Sequence, residues 1–120
     1  MTNGRLPRLP FFAMKNAVLG KTYELSLVFT ENVLSQKLNK KYKKKNRPAN
    51  VLSFPLGAHE GEMFINIQLA RRESHMRKGK YRNHVGYLFI HGLFHLKGYR
   101  HNSTMEKEEA RIRNIFSITE

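Results

Sequence analysis

Residues 82–101 read RNHVGYLFIHGLFHLKGYRH. From Arg82 to Leu96 the apolar residues Val85, Tyr87, Leu88, Phe89, Ile90, Leu93, Phe94 and Leu96 cover nearly the whole circumference of a helix. A helix that is apolar all round belongs inside a domain, with other elements packed on every side. The spacing therefore predicts one central buried helix that also carries His84, His91 and His95. His84 alone reads as a core histidine hydrogen-bonded to a carbonyl. His91 and His95, at i and i+4, project from one side one turn apart.

Burying two unpaired imidazoles costs on the order of a few kcal/mol, which a bound cation would offset by accepting their lone pairs. Both rings can reach one point at the roughly 2.0 to 2.1 Å typical of zinc–nitrogen bonds. Gly98 can end the helix abruptly and let His101 approach the same point from another direction. Three histidines and a glycine at these intervals match the metzincin zinc motif H-E-x-x-H-x-x-G-x-x-H. Its second place, which in those peptidases holds the glutamate that deprotonates bound water, is Gly92. The tripod is kept and the peptidase base is not.

Outward from this helix, residues 1–9 form an irregular N-terminal arm, and Phe11 to Leu19 read as a short helix stopped by Gly20. Tyr23 to Phe29 alternate as a half-buried strand, with Tyr23, Leu25, Leu27 and Phe29 on one face. Thr30 caps a following helix whose apolar stripe is Val33, Leu34 and Leu38. Asn50 to Phe54 form a second strand ended by Pro55, Gly57 to Gly61 a turn, and Met63 to Ile67 a third strand. Gln68 to Met76 read as a helix with Leu69 and Ala70 inside. Ser103 and Glu106 form a capping box for a last helix with Met105, Ile112, Ile115 and Phe116 on its apolar side. The expected fold is α+β over residues 1–120 as a single domain: a small mixed β-sheet packed against several helices, with a zincin-like metal site on the central helix.

The chain of 120 residues has no cysteine, which excludes disulfides, disulfide-linked partners and thiolate metal sites. It also has no aspartate; its nine acids are glutamates scattered along the chain, a poor basis for a two-metal carboxylate cluster. No run of about 20 apolar residues is present, so a soluble, cytoplasmic protein without a membrane partner is expected. Net charge is +13, from 22 cations against nine acids, and a field of that sign draws polyanions. The cations gather in two patches. One runs from Lys37 through Lys40, Lys41, Lys43, Lys44 and Lys45 to Arg47; the other holds Arg71, Arg72, Arg77, Lys78, Lys80 and Arg82. Tyr81 lies among the second set, where it can interleave a stacking surface.

The segment His91-Gly92-Leu93-Phe94-His95-Leu96-Lys97-Gly98-Tyr99-Arg100-His101 closely resembles the signature H-G-x-x-H-L-x-G-Y-D-H of the YbeY family of bacterial metal-dependent endoribonucleases. Leu38-Asn39-Lys40-Lys41-Tyr42-Lys43 and Val51-Leu52-Ser53-Phe54-Pro55 are similar to that family's L-N-x-x-Y-R and V-L-S-F-P motifs. The likeness covers about residues 23 to 118. It implies that His91, His95 and His101 bind one Zn2+ and that the fold is α+β around the metal helix. It also implies a zinc-dependent hydrolase that cuts single-stranded RNA in rRNA maturation and ribosome quality control. Three departures stand out. Lys43 replaces an arginine, keeping charge but losing the bidentate fork; Arg100 replaces an aspartate; and residues 1–9 do not read as the family's first strand.

On this reading Lys43 contacts the phosphate as charge develops in the transition state, and Lys40, Lys41, Lys44, Lys45, Arg71, Arg72, Arg77, Lys78 and Lys80 hold the flanking backbone. No general base is evident, so either water or the RNA's own 2′-hydroxyl can be the nucleophile. Imidazole accepts nickel as well as zinc. The alternative is an RNA- or ribosome-binding assembly factor with a structural or vestigial zinc site. A metallopeptidase is disfavoured by Gly92 and by the charge.

Overall fold

A computed structural model describes residues 6–98, 100 and 102–119. The elements follow the order α1 (Phe11–Leu19), β1 (Glu24–Thr30), α2 (Asn32–Lys43), β2 (Val51–Gly57), β3 (Glu60–Asn66), α3 (Ile67–Met76), α4 (Tyr81–Lys97) and α5 (Ser103–Ile115). The strands form one mixed sheet in the order β1-β3-β2, with β1 parallel and β2 antiparallel to the central β3. This is the expected α+β architecture. No helix among the described residues is long and apolar enough to cross a membrane.

Register decides which side chains meet α4. Leu25, Leu27 and Phe29 of β1 pair with Gly61, Met63 and Ile65, and Val51, Ser53 and Pro55 of β2 pair with Ile65, Met63 and Gly61. Partners in register share a face of the sheet, and Met63 and Ile65 on this face are fully buried. Against it lies α4, whose Val85, Phe89, Ile90 and Leu93 are also completely buried and which touches α1, α3 and α5 on its other sides. The all-round apolar pattern is thus explained by neighbours all round. Gly98 ends α4 in the left-handed region at φ 101°, its N–H donating to the His95 carbonyl at 3.0 Å. At the start of the fold, buried Lys15 donates from Nζ to the carbonyls of Gly20, Lys21 and Tyr23, tying α1 to β1.

Four local expectations are corrected. The N-cap of α2 is Glu31, while the Thr30 hydroxyl donates to the Glu31 carbonyl and caps nothing. The stripe Val33, Leu34 and Leu38 is not the buried side of α2: Val33 is 70% exposed, and the residues that turn inward are Ser35 and Asn39. Strand β2 runs through Pro55 to Gly57, with an irregularity in its pairing there. An edge strand tolerates a proline because its outward N–H has no ladder partner to lose. The cap of α5 is Asn102, whose Oδ1 accepts from the Met105 N–H at 2.9 Å, one residue before the expected Ser103.

At Gly92 α4 presses close on the sheet. A Cβ there would lie 2.7 Å from Met63 Cε and 2.9 Å from both Met63 Sδ and Ser53 Oγ. Ser53 Oγ already donates to the Gly92 carbonyl at 3.2 Å, so the hydroxyl cannot retreat without losing that bond. Gly92→Ala should therefore cost about 1–3 kcal/mol by overpacking. Gly79→Ala, with nothing within 4 Å of the new methyl, should stay within about 0.5 kcal/mol of the parent. Thermal or urea unfolding of the two variants, side by side, distinguishes close packing from a general intolerance of alanine.

Candidate active site

A cleft of about 610 Å³ opens along β2, bounded by the end of α2, the 45–50 loop, Leu69 and Glu73 of α3, and His91 and His95 of α4. Two polar residues of α2 shape its wall. Ser35 Oγ donates to the Ala49 carbonyl at 2.6 Å and accepts from the Ala49 N–H at 2.9 Å, while Asn39 Nδ2 donates to the Arg47 carbonyl at 2.9 Å. These bonds hold the loop whose side chains face the histidines. They also explain why α2 buries polar rather than apolar groups.

The expected histidine pair is brought together. His91 Nε2 and His95 Nε2 lie 3.0 Å apart, with their rings nearly perpendicular at 86°. Two nitrogens bound tetrahedrally to one zinc ion would stand about 3.3 Å apart given the usual bond lengths. His91 Nδ1 lies 3.1 and 3.2 Å from the two oxygens of Glu109. A carboxylate at that distance accepts, so Nδ1 carries the proton and the Nε2 lone pair is directed to the His95 side. These two nitrogens fit a cation of zinc's type. The third expected ligand, His101, lies outside the described residues. Among the described residues no group of three potential ligands assembles.

Of the expected RNA contacts, Lys43 and Lys45 line this cleft with the histidines, and Arg47 joins them. Lys40, Lys41 and Lys44 are exposed on the same helix end but do not line it. The second basic patch is not part of the cleft. Arg71 lies over the Tyr81 ring at 4.9 Å, Arg77 and Lys80 border a separate hollow of about 70 Å³ beside His84, and Arg72 and Lys78 are exposed. Tyr81 is half-buried beneath Arg71, and desolvation raises its phenol pKa above the ordinary value despite that cation. It is packing rather than an open stacking face. Arg100 is exposed.

Two glutamates complete the site, and neither was expected. Glu109, only 3% exposed, accepts from His91 and stands 3.7 Å from the Arg113 guanidinium. Its one trace in the sequence is its position between Met105 and Ile112 on the inward side of α5. Glu73 lines the cleft directly. Its Oε1 lies 2.8 Å from His84 Nε2, and Asn50 Nδ2 approaches both oxygens at 3.2 and 3.3 Å. His84 is buried as expected, and its Nε2 meets this carboxylate.

Here is an α+β domain with a histidine pair on its central helix, opening into a basic cleft. Residues 9–117 match the family model described as Endoribonuclease YbeY. The chain belongs to the YbeY family. It is similar to the proteins named Endoribonuclease YbeY of Ehrlichia chaffeensis (38% identity, 69% of this chain and 57% of the relative), Bartonella bacilliformis (37%, 71% and 60%) and Alkaliphilus metalliredigens (34%, 82% and 70%). It thus spans 57% and 60% of the length of the first two. The solution structure of TM1509 from Thermotoga maritima shares the fold, with a TM-score of 0.65 over 89% of this chain and 79% of that one at 17% identity.

Glu109→Ala should lower stability by about 1–3 kcal/mol, because it removes the acceptor of a part-buried N–H. In metal-free protein, imidazole 15N chemical shifts should report Nδ1–H as the dominant His91 tautomer, and a mixture in the variant. An unchanged tautomer would show that Glu109 does not hold the ring.

Proposed function

We propose that the chain is a zinc-dependent endoribonuclease that cuts single-stranded RNA, working in rRNA maturation and ribosome quality control in the cytoplasm. The observation that carries this reading is the meeting of Lys43, Lys45 and Arg47 with His91 and His95 in one cleft. Family membership and the printed names of the relatives point the same way. His91 and His95, with His101 from the sequence motif, would hold the ion. Bound zinc supplies a Lewis acid for a phosphate oxygen and lowers the pKa of water.

The chain's own groups do the rest. Lys43, Lys45 and Arg47 hold the phosphodiester and neutralise the charge that builds up on it. Glu109 keeps the proton of His91 on Nδ1, so Nε2 remains a donor of electrons. Glu73 is the one carboxylate among the described residues that line the cleft. Its Oε1 is engaged by His84, and Oε2, with only the longer Asn50 contact, is the atom to accept a proton from an attacking hydroxyl.

Elemental analysis of the purified protein should find about one zinc per chain, and His95→Ala should lose both the metal and cleavage of a single-stranded RNA while still binding it. Wild type that binds RNA but cuts none under any divalent ion would replace this reading with an assembly factor. Wild type that cuts RNA without metal would remove the zinc. Glu73→Gln preserves the size of the side chain and should lower kcat about 10²- to 10⁴-fold with KM little changed. Glu109→Gln should weaken zinc binding about 10- to 100-fold in a chelator competition.

A further inference from the structure

The end of α2 carries Lys41-Tyr42-Lys43, and its tyrosine is 54% exposed. Its ring rests on Phe54 of β2, with centroids 5.2 Å apart at 58°, and Phe54 in turn meets Phe64 of β3 at 6.0 Å. The three rings form a ladder on the face of the sheet turned away from α4, anchored in two strands and open at its outer end. Lys41 Nζ stands 5.2 Å from the centre of the Tyr42 ring, and Lys43 Nζ 5.6 Å from that of Phe54. Lys43 also lines the cleft. One cation is therefore shared by the aromatic ladder and the histidine-bearing cleft.

We infer that Tyr42 and Phe54 are a stacking platform for an unpaired nucleobase next to the phosphate held in the cleft. An aromatic face left in water forgoes the stabilisation of burial, and a purine or pyrimidine ring recovers it for any base identity because every base has a π-face. The flanking ammonium groups choose the occupant. Each step of a nucleic-acid strand presents an anion beside a flat ring, which is what Lys41 and Lys43 beside Tyr42 and Phe54 complement. An acidic peptide would satisfy the lysines and leave the rings uncovered, and a base inside a duplex has no open face to offer. Lys41 is the movable part: its ammonium can leave the ring for a phosphate as the base arrives. Tyr81, half-buried beneath Arg71, offers no such open face.

This inference rests on the RNA reading above and gives its single-strand preference a physical basis in Tyr42 of α2 and Phe54 of β2. The chain has no tryptophan, so Tyr42→Trp introduces a single, selectively excitable indole at the platform. Titration with a deoxythymidine oligomer of about 12 nucleotides, which spans a typical single-strand site and resists cleavage, should quench it; an abasic oligomer with the same number of phosphates should not. Wild type should bind the base-bearing oligomer about tenfold more tightly than the abasic one, equivalent to about 1.4 kcal/mol. Tyr42→Phe should keep that ratio and Tyr42→Leu should bring it to about one. An undiminished ratio in Tyr42→Leu, or unquenched tryptophan on binding, overturns the platform while leaving the nuclease reading intact. Binding of polyglutamate as tight as that of the base-bearing oligomer overturns it in favour of an acidic peptide. Failure of both oligomers to bind wild type overturns both readings.

Discussion

Helix α4 comes close against the sheet at Gly92, a position without a side chain, and the site depends on that contact. Gly92 lets the helix backbone come close enough for Ser53 of the edge strand to bond its carbonyl. His91 and His95, on either side of it in sequence, then emerge at the border of β2 rather than over the middle of the sheet. The same contact explains the missing peptidase glutamate. A side chain at position 92 would be driven against Met63 and Ser53, so the place where metzincins carry a base is here spent on packing.

The parts of the fold that were legible in the sequence are those where apolar periodicity and burial coincide. Helices α1 and α3, strand β1 and the whole of α4 fall here, because each buries its apolar side against the same core. Helix α2 breaks the rule. Its inward positions are Ser35 and Asn39, which hold a loop, and its apolar residues Val33 and Leu34 face out, so a reading based on hydrophobicity picks the wrong side. The caps at Thr30 and Ser103 were misplaced by one residue, because neighbouring Glu31 and Asn102 occupy the cap positions. In the site, the histidine pair and the cationic loop were visible as local spacing. Glu109 and Glu73 were not, since each meets its histidine through tertiary packing, across 18 and 11 residues.

Those two glutamates give the active face its frame. His84, Tyr87 and His91 form a column along α4, with successive ring centroids 6.0 and 6.5 Å apart and planes within 14° and 11° of parallel. Glu73 of α3 takes one end of the column and Glu109 of α5 the other. Arg113 of α5, beside Glu109, also lies over Tyr87 at 5.2 Å. The helix that carries the histidines is thus fixed in rotation by polar bonds from both sides. Hydrophobic contact alone, being non-directional, would leave that angle less sharply set.

In the proposed reading the Glu73 carboxylate also bears on the chemistry, because it sits in a cleft whose other charged side chains, among the described residues, are cations and whose ligand is a phosphate. Two like charges about 4 Å apart repel by about 4 kcal/mol at an effective dielectric constant near 20. For simple binding of an anion, such a group is a disadvantage. Its contacts with His84 and Asn50 hold it in place. A group that weakens binding of the ground state can still accelerate the reaction if its interaction improves as the reaction proceeds, and a base does this as it takes a proton. In the proposed reading the lysines and Arg47 would supply attraction for the substrate, while Glu73 would supply the difference between substrate and transition state.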